Sequence, residues 1–108
     1  MSSSHKNILS SRWQEFSLAQ QLGNIGSEYM RFCSARRKNE LESSENSSVR
    51  FLELLDATIV DRRWSGRLKE LVRLREVFCK MYSDVELYNA QNEILEQYFL
   101  PFAYLARK

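Results

Sequence analysis

The chain has few residues of the kinds that end helices, bind metals or form disulfides: three glycines, one proline, two cysteines and one histidine. So little glycine and proline excludes a turn-rich β fold. The one histidine, His5, lies in a polar N-terminal stretch, which favours a solvated side chain over a ligand or a base. Because no CxxC spacing accompanies it, we expect no bound metal and no cofactor.

Long apolar runs are also absent. No segment approaches the roughly 20 apolar residues of a membrane span, and the first residues, MSSSHKN, lack the apolar core of a signal peptide. We therefore expect a cytoplasmic protein that has no membrane partner and keeps its thiols reduced. Cys33 and Cys79 both fall on apolar helical faces, so we predict that both are buried. A disulfide between them would need the first and third helices to pack side by side.

What the chain has in abundance is apolar side chains at helical spacing, most clearly in residues 65–82. Apolar positions recur there at steps of three and four, which places them on one face of a helix. Ser65 is the predicted N-cap, because its hydroxyl can accept a hydrogen bond from a first-turn N–H. The apolar positions are Leu68, Leu71, Val72, Phe78, Cys79 and Tyr82, with Leu74, Val77 and Met81 beside them.

A second apolar seam predicts the first helix, near residues 11–38. Ser11 and Gln14 match a capping box at its start. Two interpretations of Gly23 and Gly26 stay open: a close helix crossing, or a hinge or oligomer contact. The cluster Arg36, Arg37 and Lys38 complements the helix dipole at the carboxyl end, although a nucleic-acid patch is the alternative. The seam consists of Leu18, Leu22, Ile25, Tyr29 and Phe32.

Residues 39–48, NELESSENSS, are polar, acidic and rich in serine, and they predict the main loop. We expect this loop to be the most mobile internal segment and to tolerate insertions. A second helix near 49–61 follows it. The apolar face of that helix carries Phe51, Leu52, Leu55 and Ile59.

The last helix, near 84–106, opens on a capping box formed by Ser83 and Glu86. Its apolar spacing continues beyond Pro101, so we expect a kink at this residue and no helix end. The aromatic segment QYFLPFAYL then belongs to the core or, in part, to an exposed interface.

These patterns together predict an all-α fold, an antiparallel up-down-up-down four-helix bundle with short connections. The chain length suits one domain, which we place at residues 10–108 after a flexible tail at residues 1–9. The four helices are predicted near 11–38, 49–61, 65–82 and 84–106.

Positive charge collects at the start of the third predicted helix and along it. If that helix begins near Arg62, one stripe of cations follows its length. Trp64 adds an aromatic plane, which together with guanidinium groups can stack bases or hold phosphate. In one alternative, Trp64 closes the end of the core and the arginines face water or pair with Asp61. In another, acidic residues of the last helix neutralise the stripe. The candidate interaction surface consists of Arg62, Arg63, Trp64, Arg67, Lys69, Arg73 and Lys80.

Three segments, SRWQEFSLAQQLGNIGSEYMR, LELLDATIVDRRWSGRLKELVRLREVF and QYFLPFAYLARK, resemble small bacterial all-helical proteins of about this length. The resemblance spans residues 10–108 and consists of packing patterns, so it implies a helical bundle and carries no activity. In general plan the chain is also similar to the four-helix proteins encoded within ribosomal-RNA intervening sequences and to those that accompany retroelement reverse transcriptases. None of their motifs occurs here, so no functional residues carry over.

No group of residues in the sequence matches a catalytic motif. Glu53, Asp56 and Glu86 would act as paired carboxylates only if tertiary packing brought them together. We therefore expect no enzymatic activity and no small-molecule substrate. The expected function is a non-enzymatic interaction or assembly module that binds a protein partner or a second copy of itself. The alternative is an accessory nucleic-acid-binding protein that uses the basic stripe of the third helix.

Overall fold

The computed structural model describes residues 12–106, and these residues form an all-α fold, as predicted. A short 3-10 helix, Arg62–Arg67, connects the second α-helix to the third. The predicted tail, residues 1–9, lies outside the described residues. The α-helices are α1 (Leu18–Arg37), α2 (Leu41–Ile59), α3 (Leu68–Tyr82) and α4 (Val85–Ala106).

Helix α1 begins later than predicted, because a capping box forms at Ser17. The Ser17 hydroxyl accepts from the N–H of Gln20 at 3.1 Å, and Gln20 Oε1 accepts from the N–H of Ser17 at 2.8 Å. The extended backbone of Ser17 separates α1 from the helical residues 12 and 13. The continuous helix predicted from residue 11 is therefore wrong. Ser11 lies outside the described residues, so its capping box with Gln14 stays a prediction.

The loop predicted at residues 39–48 is also wrong, because α2 begins at Leu41. The connection from α1 to α2 is therefore residues 38–40 alone. Within it, Asn39 has a left-handed φ of 58°. Asparagine enters this conformation more readily than most residues, so it suits so tight a connection.

The polar first half of α2 is helical because the bundle covers part of it. Ser47 and Ser48 are buried, and the Ser48 hydroxyl donates to the carbonyl of Glu45 at 2.7 Å. Serine and asparagine lower helix stability by at most about 0.7 kcal/mol per residue relative to alanine. Burial along one face of α2 outweighs a cost of that size.

Two predicted caps are replaced by other arrangements. Ser65 lies inside the 3-10 helix, and α3 starts after it without a side-chain cap. At the start of α4, Asp84 takes the role predicted for Ser83, because its Oδ1 accepts from the N–H of Leu87 at 3.0 Å. The predicted capping box between Ser83 and Glu86 is therefore wrong.

Helix α4 continues through Pro101 to Ala106, as its apolar spacing predicted. The kink at Pro101 stays a prediction. α4 is also the longest helix of the fold, at 22 residues. Within residues 12–106, none of the helices has both the length and the apolar character needed to cross a membrane.

The ring of Tyr29 lies at the centre of the core. One phenylalanine from each of the four helices packs against it. Tyr29 belongs to the predicted seam of α1, and four of the five seam residues are fully buried. Ring centroids lie 5.7–6.2 Å from that of Tyr29, in tilted or edge-on arrangements that aromatic pairs favour. The four partners are Phe32 of α1, Phe51 of α2, Phe78 of α3 and Phe99 of α4.

The Tyr29 hydroxyl is also satisfied inside the bundle. It donates to Asn92 Oδ1 of α4 at 2.6 Å, and the thiol of Cys33 donates to the same oxygen at 3.2 Å. Burial raises the pKa of the Cys33 thiol, which keeps this residue uncharged. Cys33 is thus buried as predicted, whereas Cys79 is exposed and that prediction was wrong. Both cysteines are free.

Helix α1 packs against α2 and α4, and α3 packs against the same two helices. The approach of α1 to α4 is closest at Gly26, which is buried against Phe99. A Cβ built at Gly26 would lie 2.8 Å from the Cβ of Phe99, closer than side chains approach one another. Of the two interpretations of the glycine surface, the structure thus supports a close helix crossing at Gly26.

We predict that Gly26→Ala lowers the free energy of unfolding by about 1 kcal/mol, and by no more than about 2 kcal/mol. The added methyl must displace Phe99 at a cost of about 1–3 kcal/mol, and the better helix propensity of alanine offsets about 1 kcal/mol. Gly66→Ala is the matched control, since no atom lies within 4 Å of its added Cβ. Urea denaturation of the two variants measures the difference, and equal stability of both would contradict the close crossing.

Candidate functional site

The cations of the predicted interaction surface divide into paired and unpaired residues. Arg63 Nη2 lies 2.7 Å from Asp61 Oδ2, and Arg67 Nη2 lies 2.8 Å from Glu70 Oε2. Arg75, which flanks the surface, pairs with Asp56 of α2. The remaining cations of the surface form no ion pair within residues 12–106; they are Arg62, Lys69, Arg73 and Lys80.

Three of these unpaired cations lie on the exposed face of α3. Lys69 and Lys80 are about 16 Å apart along the helix axis, with Arg73 between them. The exposed Glu76 lies on the same side and reduces the local positive charge. In the part of the chain that the structure describes, no carboxylate of α4 pairs with this stripe. The stripe is therefore exposed and only moderately basic.

Trp64 is half-buried and packs against the edge of the core. Its Nε1 donates to Gln21 Oε1 of α1 at 2.9 Å, and the guanidinium of Arg63 lies 4.5 Å from the ring centroid. Gln21 thus already occupies the indole N–H, and Arg63 already covers one face of the ring. This geometry matches the interpretation in which Trp64 closes the end of the core, and a base-stacking role for it stays a prediction.

Gln21 connects three segments at this end of the bundle. It is fully buried, and besides its bond to Trp64 its Nε2 donates to the carbonyl of Trp13 at 2.7 Å. The Trp13 indole in turn donates to Thr58 Oγ1 of α2 at 2.9 Å. We did not single out Gln21 from the sequence. The signal in the sequence that could have indicated its buried role is a polar residue directly beside the seam position Leu22.

Two carboxylates of the predicted surface region are held ionised by arginine. Hydrogen bonds from Arg63 hold the pKa of Asp61 below its usual value, and hydrogen bonds from Arg67 do the same for Glu70. Glu70 also accepts from the hydroxyl of Tyr98, which ties α3 to α4. These pairs hold the 3-10 helix Arg62–Arg67 and α3 in place.

A second surface, which we call the α4 surface, is apolar. Its residues lie on the outer side of the last half of α4 and on the neighbouring part of α1. Each of these residues has between 45% and 69% of its surface exposed to solvent. Because Leu95 and Phe99 fill the inner side, this half of α4 is apolar on both sides, which is typical of a covered helix. The α4 surface consists of Met30, Leu100, Tyr104 and Leu105.

A groove runs along the α4 surface where α1 meets α4. Its lining combines the small residues Gly26, Ser27 and Ala103 with the larger side chains of Met30, Leu100 and Glu96. A second, shallower concavity adjoins it on α4 and shares Leu100 and Ala103. The close crossing at Gly26 creates this groove, since residues without bulk leave it open. The aromatic segment QYFLPFAYL thus contributes both to the core and to an exposed surface.

The sequence analysis considered three carboxylates, Glu53, Asp56 and Glu86, as a possible catalytic group. Of these, Asp56 pairs with Arg75 of α3. Across residues 12–106, no three His, Cys, Asp or Glu side chains lie together in a way that could hold a metal ion.

Comparison with known proteins gives no further assignment. No protein-family model, no curated protein and no solved structure matches this chain.

We predict that Asp61→Asn destabilises the protein at neutral pH and that the difference from the unchanged protein disappears in acid. A carboxylate whose pKa is lowered by folding stabilises the fold above the unfolded pKa of about 4. That contribution is lost as the pH falls through the lower, folded pKa. Urea denaturation at pH 7, 5, 4 and about 2.5 measures it. Glu93→Gln, at an exposed position of α4, controls for the loss of one negative charge. A pH-independent effect of Asp61→Asn would contradict the prediction.

Proposed function

We propose that this protein is a non-enzymatic helical interaction module whose α4 surface binds a protein. The observation that carries the proposal is the exposure of Leu100 and Tyr104, each at 69%, on a half-helix whose inner side already fills the core. Monomeric proteins seldom expose more than about 300–600 Å² of contiguous apolar surface, and patches of that size are often functional. The α4 surface is of this order.

The energetics of the α4 surface also favour a protein partner. Removing apolar surface from water contributes about 25 cal/mol per Å², and the gain needs no charged ligand. Within residues 97–105 the sequence has no charged side chain. A partner for such a surface must itself be apolar, so another protein surface suits it better than nucleic acid.

We further propose an antiparallel up-down-up-down order of the helices. Contacts between α1 and α4 support it: Gly26 meets Phe99, and Tyr29, later in α1, meets Asn92, earlier in α4. The contacts between α2 and α3 run in opposite order in the same way. The connection of residues 38–40 is also short, as neighbouring antiparallel helices require.

A cytoplasmic location is part of the proposal. Its support is that Cys33 and Cys79 are both free, which suits a compartment that keeps thiols reduced.

Leu100→Glu is the variant that tests the interaction module. We expect affinity capture after mild crosslinking to retain protein partners, including further copies of the chain, and Leu100→Glu to abolish that retention. A charge placed at the centre of an apolar interface remains unpaired, at a cost of several kcal/mol. Val60→Glu is the matched control, because Val60 is 76% exposed and lies outside the α4 surface. Equal retention by the two variants, with unchanged thermal unfolding, would contradict the proposal.

A second candidate function, nucleic-acid binding, is favoured by one observation: the stripe cations Lys69, Arg73 and Lys80 are exposed and unpaired within the described residues, as is Arg62. Such cations can neutralise phosphates without rearrangement of the fold. Glu76 on the same face and the occupied position of Trp64 make it the weaker candidate.

If the stripe binds duplex nucleic acid, Lys69→Glu/Arg73→Glu should weaken binding and reduce the slope of log K against log salt by about two units. Each phosphate contact contributes about 0.9 to that slope. Fluorescence anisotropy with labelled RNA and DNA duplexes at several salt concentrations measures both quantities. Capture through the α4 surface should stay unchanged in the same variant. Absence of binding by the unchanged protein at micromolar concentration would exclude this candidate.

A further inference from the structure

We propose that the partner of the α4 surface is a second copy of this chain, bound through a two-fold axis near Leu100 with the two α4 helices antiparallel. This inference rests on the proposed function, because it names the partner of the same surface. Three features of the described residues lead to it: the shape of the surface, the placement of charge along α4 and the size of the apolar area.

The α4 surface has the shape that self-contact requires. A two-fold interface uses the same patch on both subunits, so each raised part must meet a hollow of the same patch. Here the large side chain of Leu100 lies beside the small residues Gly26, Ser27 and Ala103 in the lining of the groove. The adjoining concavity shares Leu100 and Ala103 with this groove. An axis near Leu100 therefore lets Leu100 of each copy pack against Leu100 of the other, over the space that the small residues leave open.

Charge along α4 is arranged so that like charges do not meet at that axis. A two-fold axis brings each residue near it against the same residue of the other copy, where equal charges would repel. The nine residues from Gln97 to Leu105 are uncharged, whereas Glu93 and Glu96 precede them. In an antiparallel pair centred on Leu100, the two copies of Glu96 lie about 12 Å apart along the helices and those of Glu93 about 21 Å apart. The antiparallel arrangement thus separates the acidic residues of the two copies.

The size of the surface is sufficient for a dimer of moderate affinity. Its four side chains, 45–69% exposed, offer on the order of 400 Å² of apolar surface. A standard interface buries about 800 Å² per partner, of which the rim is polar. Ser27 of the groove lining and Gln97 of α4 are exposed polar residues available for that rim. Weak and transient complexes have interfaces at the smaller end of the range, so we expect a dissociation constant in the micromolar range.

Sedimentation equilibrium of the full chain, from about 1 µM to about 0.2 mM, tests the dimer. We expect the unchanged protein and Val60→Glu to form dimers, and Leu100→Glu to remain monomeric. Leu105→Glu is a second variant of the same surface and should weaken the dimer at least tenfold. Circular dichroism establishes that each variant is folded. A monomer at every concentration would overturn the inference, as would dimers in both α4-surface variants.

Disulfide crosslinking tests the antiparallel pairing. In a Cys79→Ser background, Leu100→Cys should give a disulfide-linked dimer with oxidised glutathione, because position 100 meets itself at the axis. Ile94→Cys should not, since the two copies of position 94 lie about 18 Å apart along the helices and a disulfide joins Cα atoms less than about 7 Å apart. Crosslinking through position 94 alone or through both positions would overturn the antiparallel axis.

The dimer and the proposed function fail in different ways. If the chain is monomeric but capture of another protein is lost in Leu100→Glu and kept in Val60→Glu, the self-pairing is wrong and the interaction module stands. If neither dimerisation nor capture depends on Leu100, both are wrong.

Discussion

The arrangement of all four helices depends on the buried ring of Tyr29. One phenylalanine from each helix contacts it, so a change in the position of any helix alters the packing around one shared group. The Tyr29 hydroxyl also donates a hydrogen bond to Asn92 of α4. This bond sets the position of α4 along its own axis, in addition to its distance from α1. Gly26 makes that distance possible. The close approach of α1 to α4 at Gly26 completes the core on the inner side and leaves the groove on the outer side. The same helix crossing therefore produces both the core packing and the groove of the α4 surface.

The all-α class and the core could be predicted from the sequence because both depend on apolar spacing. The seam of α1 shows this best: its spacing predicted a buried face, and Tyr29 lies at its centre. The predictions that failed relied on local composition. Residues 41–48 look like a loop by composition, yet burial of Ser47 and Ser48 makes them helical. Ser65 and Ser83 have capping side chains, but Asp61 caps the 3-10 helix that contains Ser65, and Asp84 caps α4.

The candidate surfaces were less predictable, because they depend on which side of a helix its neighbours cover. The last half of α4 is apolar all round, so its spacing cannot tell Phe99, which is buried, from Leu100, which is exposed. The basic stripe could be located by spacing, but its pairing could not. Arg63 and Arg67 have carboxylate partners close in sequence, whereas the partner of Arg75 comes from α2. Trp64 was suggestive in sequence as an aromatic among arginines, and only the fold shows that Gln21 holds its indole.

The hydrogen bond between Tyr29 and Asn92 also has a consequence for the order in which the chain folds. Its two residues are 63 positions apart, whereas α1 and α2 are joined by residues 38–40 alone. Loop-closure entropy rises with the length of chain enclosed, and local contacts form faster than distant ones. We therefore expect the α1–α2 hairpin to form early and α4, synthesised after the other three helices, to close onto it. Until that step the nascent chain carries Phe51 and the α1 seam open to water, which makes the arrival of α4 the event that ends its exposure to aggregation.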